Sequence, residues 1–312
     1  MLDVRRLRVL KEVAAKGSFS AAAESLAYTQ SAVSQQIAAL EREAGLQLVE
    51  RSARGVHLTD AGRVLVRHAD VILRQLSDAE AELEAMAGLR GGRLRLVAFP
   101  SAGASLMPEA VARFRRRHPA VDLTLAPAEP DEAVDALRAG EADIGLTIET
   151  TWAQPDGDGL LRTHLLDDPM YIALPEGHAQ AHRPKVKLAD LAEEPWILGS
   201  GDASCPDSQI LIRACNGAGF EPRIAFQSDD YNAIQGFIAT GMGISMIPDL
   251  ALTNVRGDVV IRSLGPKAPV RRISALTTEG GFCSPAKQAM LDVLVEVAAE
   301  FGTRRTELAL AS

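Results

Sequence analysis

The sequence predicts an α + α/β protein: an N-terminal winged helix-turn-helix, a long coiled-coil linker helix and a C-terminal two-lobed α/β domain. Three observations carry this. Ser20 to Glu43 reads as two short helices about a tight turn. Apolar residues repeat in heptads from Leu65 to Met86. After Gly91-Gly92, short apolar strands alternate with helical stretches.

Ser20 is expected to cap a helix through Ala21–Leu26, Tyr28 to break it, and Thr29 to cap the next. In that second helix Val33, Ile37 and Leu40 share an apolar face, and Gln30, Ser31, Ser34 and Gln35 lie opposite, near its start. A helix-turn-helix offers such N-terminal polar side chains to base edges, where Gln pairs with adenine and Ser bonds at either edge. The competing reading is a plain helical hairpin with a solvated polar face. Before the pair, Val4, Leu7, Leu10, Val13 and Ala14 predict a buttressing first helix ended at Gly17. After it, Gly45 reads as a C-cap. Leu46–Glu50 and Val56–Leu58 then flank a hairpin tip whose Arg51 and Arg54 suit phosphate or minor-groove contact.

Thr59 is expected to cap a helix from about Asp60 to Gly88. Leu65, Ala69, Ile72, Leu76, Ala79, Leu83 and Met86 step by four and three along it, a coiled-coil seam. The helix could instead pack lengthwise on its own domain, but two-fold symmetry suits the reading of two half-sites, so Leu65, Ile72, Leu76 and Leu83 are the candidate dimerisation residues.

The remaining two hundred residues alternate strands and helices, which predicts a mainly parallel sheet in two lobes. Helical stretches are expected at Leu106–His118, Asp131–Arg138, Asp207–Asn216, Tyr231–Thr240 and Ser284–Phe301, with fraying after Gly302. The expected limits are 1–59 for the DNA-binding domain, 60–90 for the linker and 91–312 for the remainder.

Net charge is −8, yet residues 1–57 hold eight Arg/Lys against six Asp/Glu, so the acidity lies outside the DNA-reading unit. That small basic excess makes a dimer and well-placed arginines necessary for affinity. The apolar runs fall short of a membrane span and MLDVRRLRVLKEV has no signal-peptide core, so a cytoplasmic protein is expected. Three unevenly spaced cysteines do not suggest a disulfide framework. An enzyme is opposed by the absence of G-x-S-x-G, H-E-x-x-H, P-loop and complete G-x-G-x-x-G motifs, and the six histidines form no metal-spaced cluster. No catalytic residue, metal or cofactor is expected.

The N-terminal residues hold a fixed pattern, Ala22-Ala23, Leu26, Thr29-Gln30-Ser31-Ala32-Val33-Ser34, Ile37, Leu40-Glu41, Gly45, Leu48, Arg51, Arg54 and Leu58-Thr59-x-Ala61-Gly62. In this pattern the chain resembles the LysR-type transcriptional regulators. Ala44, Val49 and Gln35 depart from the usual leucine, phenylalanine and arginine, and Gln35 removes a cation from the DNA face. The resemblance implies a cleft like that of the type 2 periplasmic binding proteins. Lobe one would be 93–162 with 268–302, lobe two 163–267, and a small-molecule effector would sit between them. Ser101, Ala102 and Gly103, at a helix start suited to anions, are candidates, with Glu129, Thr147, Ser200 and Tyr231. Glu129 disfavours a simple dicarboxylate. The implied partners are dyad double-stranded DNA, the effector, further copies of the chain as dimer or tetramer, and RNA polymerase, with no membrane. Because the family includes peroxide sensors that form a disulfide in this region, redox sensing through Cys205 and Cys215 stands as an alternative. An α/β enzyme and a solute-binding protein stand behind it.

Overall fold

A computed structural model of the chain describes residues 2–52, 55–86, 92–150, 159–199, 205–280 and 283–311. The N-terminal unit opens with α1 (Val4–Lys16), whose first turn is capped by Asp3 accepting from the Arg5 amide at 2.7 Å. Gly17 ends it at φ 61°, a left-handed turn that favours glycine. The second helix, α2 (Phe19–Ser25), is capped by Ser18 and not by Ser20 as expected. It starts two residues early because Phe19 is buried in the shared core. The turn then passes through Ala27, at φ 54°, and Thr29 caps α3 (Gln30–Ala44) by accepting from the Ala32 amide at 3.2 Å. Leu7, Leu10, Val13, Ala22, Val33, Ile37 and Leu40 pack together beneath this face.

The carboxylate of Glu41 accepts from the amides of Leu48 and Val49 and so fixes where the wing leaves α3. The wing is an antiparallel pair, β1 (Val49–Ser52) and β2 (Gly55–Leu58), with Ser52 opposite Gly55. Arg54 lies outside the described residues, and Arg51 is placed only as a residue of β1. Thr59 accepts from the Gly62 amide at 3.0 Å and starts α4 (Asp60–Met86). Gly62 is needed there: a Cβ would stand 2.1 Å from the Leu48 carbonyl oxygen.

The apolar repeat along α4 divides in two. Ala69 is fully buried in the N-terminal core and Leu65 packs against it, so these first positions serve their own unit rather than a seam. Ile72, Leu76 and Leu83 are 39%, 45% and 66% exposed and are left for another surface.

The larger unit runs β3 (Gly92–Ala98), α5 (Pro100–Arg117), β4 (Val121–Pro127), α6 (Pro130–Arg138) and β5 (Ile144–Glu149). Next come β6 (Leu160–Pro175), β7 (Pro195–Leu198), α7 (Pro206–Gly217), β8 (Arg223–Gln227) and α8 (Tyr231–Ala239). It closes with β9 (Ser245–Pro248), β10 (Val259–Ser263), β11 (Val270–Thr278) and α9 (Pro285–Ala311). The main sheet is ordered β10-β6-β11-β5-β3-β4, with β9 also on β6. It is mixed, not mainly parallel: β3 pairs in parallel with β4 and β5, but β6, β9, β10 and β11 pair antiparallel. Alternation of elements predicts helical crossovers, whereas the long strand β6 runs without a helix from its pairing with β11 to its pairing with β10 and β9.

Two further readings change. The helix expected from Leu106 starts at Pro100, where a proline suits the first turn and Ser101 and Ala102 are buried by packing that propensity does not report. The final helix continues beyond Gly302 to Ala311.

Candidate functional site

The start of α3 presents its polar face outward. Gln30, Ser31 and Gln35 are exposed, and Ser34 is partly so. The Thr29 and Ser31 hydroxyls are 3.0 Å apart. These five stand together on one helix end, held by the cap at Thr29 and by the buried face of Val33 and Ile37. Their hydroxyls and amides supply donors and acceptors within about two turns, the kit that reads base edges.

A second site lies where α5, α6 and β5 of one lobe face α7, α8 and the segment after β7 of the other. A small cavity of about 30 Å³ is lined there by Phe99, Ser101, Glu129, Ile148, Asp207 and Tyr231, among others. That space holds about two waters, far less than an effector needs.

The walls are joined by Arg271, a fully buried cation on β11. Its Nε donates to Asp168 at 2.9 Å and its Nη2 donates both to Asp168 and, at 3.1 Å, to the Ser101 hydroxyl. Its Nη1 reaches both carboxylate oxygens of Asp207 at 2.9 Å. Asp168, itself fully buried on β6, also accepts from the Leu250 amide at 3.0 Å. The Tyr231 hydroxyl donates to Asp207, and the guanidinium lies 5.5 Å from the Phe99 ring centroid. One cation thus serves two carboxylates and ties lobe-one Ser101 to lobe-two Asp207.

Burial alone would pull the Arg271 guanidinium down, but the Asp207 and Asp168 carboxylates outweigh it and hold it charged. Burial first, then the Asp207 charge, push the Tyr231 phenol well above its ordinary value, which keeps it a donor. Glu129 is raised by partial burial and by Asp207, Glu132 and Asp229.

Of the expected effector residues, Ser101, Glu129 and Tyr231 line this cavity. Ala102 is fully buried in the lobe-one core and Gly103 lies inside α5, and neither lines this cavity. Thr147 is buried opposite Ser274 on the sheet, and Ile148 is the β5 residue that lines the space. Ser200 lies outside the described residues. Sequence reasoning missed Arg271, Asp168 and Asp207. An arginine within an apolar strand is the one signal that points to a buried ion pair. Cys205 lines the cavity at the start of α7, whereas Cys215 is fully buried and burial pushes its thiol up to about 12.

Among the described residues no group of three or more His, Cys, Asp or Glu is placed to hold a metal, and no helix is long and apolar enough to cross a membrane.

Comparison with known proteins agrees with the two-unit architecture. Residues 4–63 match the model of the bacterial regulatory helix-turn-helix proteins of the lysR family, and residues 87–299 match the LysR substrate binding domain. The probable HTH-type transcriptional regulator LrrA of Synechococcus elongatus is 30% identical over 96% of this chain and 98% of its own. The DNA-binding transcriptional dual regulator OxyR of Escherichia coli is 28% identical over 89% of this chain and 90% of its own. Among solved structures, a full-length OxyR variant from Pseudomonas aeruginosa superposes with a TM-score of 0.72 at 22% identity, covering 96% of this chain and 95% of that one. Full-length CbnR complexed with its target DNA does so with 0.64 at 24%, covering 96% and 100%. At those identities the structures speak for the fold.

Proposed function

We infer how this protein works from one premise: the chain belongs to the LysR family of transcriptional regulators, whose DNA binding a small-molecule effector modulates. It reads a dyad operator in double-stranded DNA. Thr29, Gln30, Ser31, Ser34 and Gln35 face the bases, and Arg51 and Arg54 of the wing hold the backbone. The exposed polar face at the capped start of α3 carries this reading. Ile72, Leu76 and Leu83 pair two copies through α4, and further association of the larger units makes a tetramer. The limits 1–59, 60–90 and 91–312, with lobes 93–162 plus 268–302 and 163–267, divide this work. The protein acts in the cytoplasm, beside RNA polymerase at its promoters, and catalyses no reaction.

The effector enters the cleft between the lobes. Glu129 and Tyr231 would touch it, and Ser101 and Asp207 would exchange partners with it. With Arg271 already neutralised by two carboxylates and Glu129 and Asp229 beside it, the cleft opposes a dianionic effector. Because the closed space is so small, binding selects an opened arrangement in which Arg271 and Asp207 part, a population shift.

Footprinting of the full-length protein on the DNA upstream of its own gene, over a range of salt, tests this. Salt-sensitive protection of a dyad is expected. Gln30→Ala and Ser34→Ala should weaken operator binding more than random-DNA binding, and Arg51→Ala or Arg54→Ala should weaken both. Equal losses at operator and random DNA for the first pair would remove the base-reading role. Redox sensing is the poorer reading, since a thiol buried like Cys215 forms little of the thiolate that reacts.

A further inference from the structure

The N-terminal unit touches lobe one through Lys11. Its ammonium, on α1, donates to the Ala139 carbonyl at 2.8 Å and stands 3.2 Å from Glu141 and 3.4 Å from Asp70 of α4. Ala139 is the C-cap of α6. Lys11 is therefore a capping cation for a helix of the other unit, placed where the carbonyls of a last turn lack partners and the helix dipole favours positive charge.

The opposite end of the same helix is in the cleft. Glu129, the N-cap of α6, lines the cavity beside Asp207 and Tyr231, and its amide donates to Glu132 at 2.8 Å. The nine residues of α6 span roughly 14 Å between these ends at about 1.5 Å each. The helix is stiffly mounted. Pro130, Ala133 and Leu137 are buried beneath it, and a Cβ on Gly145 of β5 would already meet Ala133 and Leu137 at 3.2 and 3.3 Å. Beyond Ala139 the chain is pinned to β3, because Arg95 donates to the Gly140 carbonyl at 2.5 Å and grips the Asp143 carboxylate at 2.9 and 3.2 Å. Seated on β5 and held to β3, α6 would move as one body with them, so a displacement at Glu129 would be carried to Ala139 rather than absorbed at a loose end.

Around Lys11 the two units are not closely packed. A groove of about 510 Å³ lies between them, lined by Arg5, Arg8, Tyr28, Leu76 and Glu141 among others. The N-terminal unit thus has room to change its angle on lobe one about the Lys11 contact.

We propose that α6 is the strut by which the effector cleft sets the angle of the DNA-reading unit, with Glu129 as its receiving end and the Lys11–Ala139 cap as its delivering end. The proposal rests on the cleft being the effector site. It needs only a helix shift of an ångström or so, the scale on which packed helices move between alternative arrangements. Lys11 acts through α6 and is a positioning residue; it touches neither effector nor DNA.

A double-mutant cycle on the full-length protein tests this without any effector, using as probe a DNA duplex selected by the wild-type protein from a random pool. Glu129→Asn perturbs the cleft end by removing the charge while keeping a side chain that caps helices well. Lys11→Met removes the delivering contact and retains the stem. Since Asp70 would then lose its counter-charge, Lys11→Met is also made with Asp70→Asn, and thermal unfolding confirms that each variant folds. The expected result is a change of roughly three-fold or more in duplex affinity for Glu129→Asn that vanishes in either Lys11→Met background. Hydrogen exchange over residues 4–16 should change in Glu129→Asn alone and not in the combined variants. Additive effects would overturn the strut, because general destabilisation adds and does not cancel. A Glu129→Asn variant that alters neither affinity nor exchange at α1 would overturn it as well. A screen that finds no cleft ligand would instead remove the effector reading and leave the cycle intact, so the two failures are distinct.

Discussion

Arg271 and Asp207 come from opposite walls of the cleft, yet Nη1 of the one lies 2.9 Å from both carboxylate oxygens of the other. With Asp168 as second partner, this guanidinium closes the cleft from within. Its two carboxylates are not equivalent. Asp168 is fully buried beside it, whereas Asp207 is partly exposed and also holds the Tyr231 hydroxyl.

Removing the cation strands a buried charge, so Arg271→Ala should cost about 3–5 kcal/mol of unfolding free energy. Asp207→Asn leaves Asp168 as the counter-ion and should cost less, about 1–3 kcal/mol. It should also loosen the lobes, seen as faster hydrogen exchange in α7 and α8. A loss for Asp207→Asn as large as that for Arg271→Ala would contradict this division.

Glu129 imposes a pH dependence of definite sign. Its native pKa lies above the ordinary 4.5, raised by partial burial and then by Asp207, Glu132 and Asp229. The native state therefore binds the proton more tightly than the unfolded chain. That contribution is fully present below 4.5 and is lost as pH rises through the raised native value. In Glu129→Gln this loss is absent, so the thermal midpoint difference between variant and wild type should grow in the variant's favour across that window. A constant difference would show that Glu129 is not desolvated.

Gly62 sits under the wing where a Cβ would lie 2.1 Å from the Leu48 carbonyl oxygen, a backbone atom that cannot move aside alone. Gly62→Ala should cost about 1–3 kcal/mol by overpacking, measured by denaturant unfolding. Ala27 is the converse. Its left-handed φ of 54° favours glycine, and Ala27→Gly should leave stability unchanged or raise it slightly, a few tenths of a kcal/mol at most.

The three thiols should react in order of access. Cys283 is exposed, Cys205 partly buried, and Cys215 is buried with its thiol pushed up to about 12. Titration of the native protein at neutral pH should modify Cys283 first and leave Cys215 intact until unfolding. After peroxide the free-thiol count of Cys205 and Cys215 and the DNA affinity should be unchanged. A Cys205–Cys215 disulfide would revive the redox reading.

Leu76 is 45% exposed on α4 although it is apolar and in register with Ile72 and Leu83. Leu76→Asp should shift the protein toward monomer in sedimentation and weaken operator binding through loss of the second half-site contact.

Much of the N-terminal unit was legible because its signals are local. Caps at Thr29, Thr59, Gly17 and Gly45 are stereochemical, and Val33, Ile37 and Leu40 repeat at the period of one helix face. Reading failed where packing overrode pattern. Ser18 caps α2 because Phe19 is buried, and Leu65 keeps heptad spacing yet belongs to its own core. In the larger unit Glu129 and Tyr231 were found as residues of βα loops, but Ala102 and Thr147, equally near strand ends, are buried and do not line the cavity. Which side of a loop faces a cleft depends on how the lobes sit.

The sequence by itself determined that a helix-turn-helix with a wing precedes a long helix and an α/β unit, since each element follows from spacing and capping within a few residues. The tertiary structure alone decided the chemistry of the cleft and its link to the reading unit. Arg271 meets Asp168, Asp207 and Ser101 across 103, 64 and 170 residues, and Lys11 meets Ala139 across 128. No local pattern records such partners, because a buried ion pair or a helix cap lent by another unit exists only once the folded chain has brought elements far apart in sequence together.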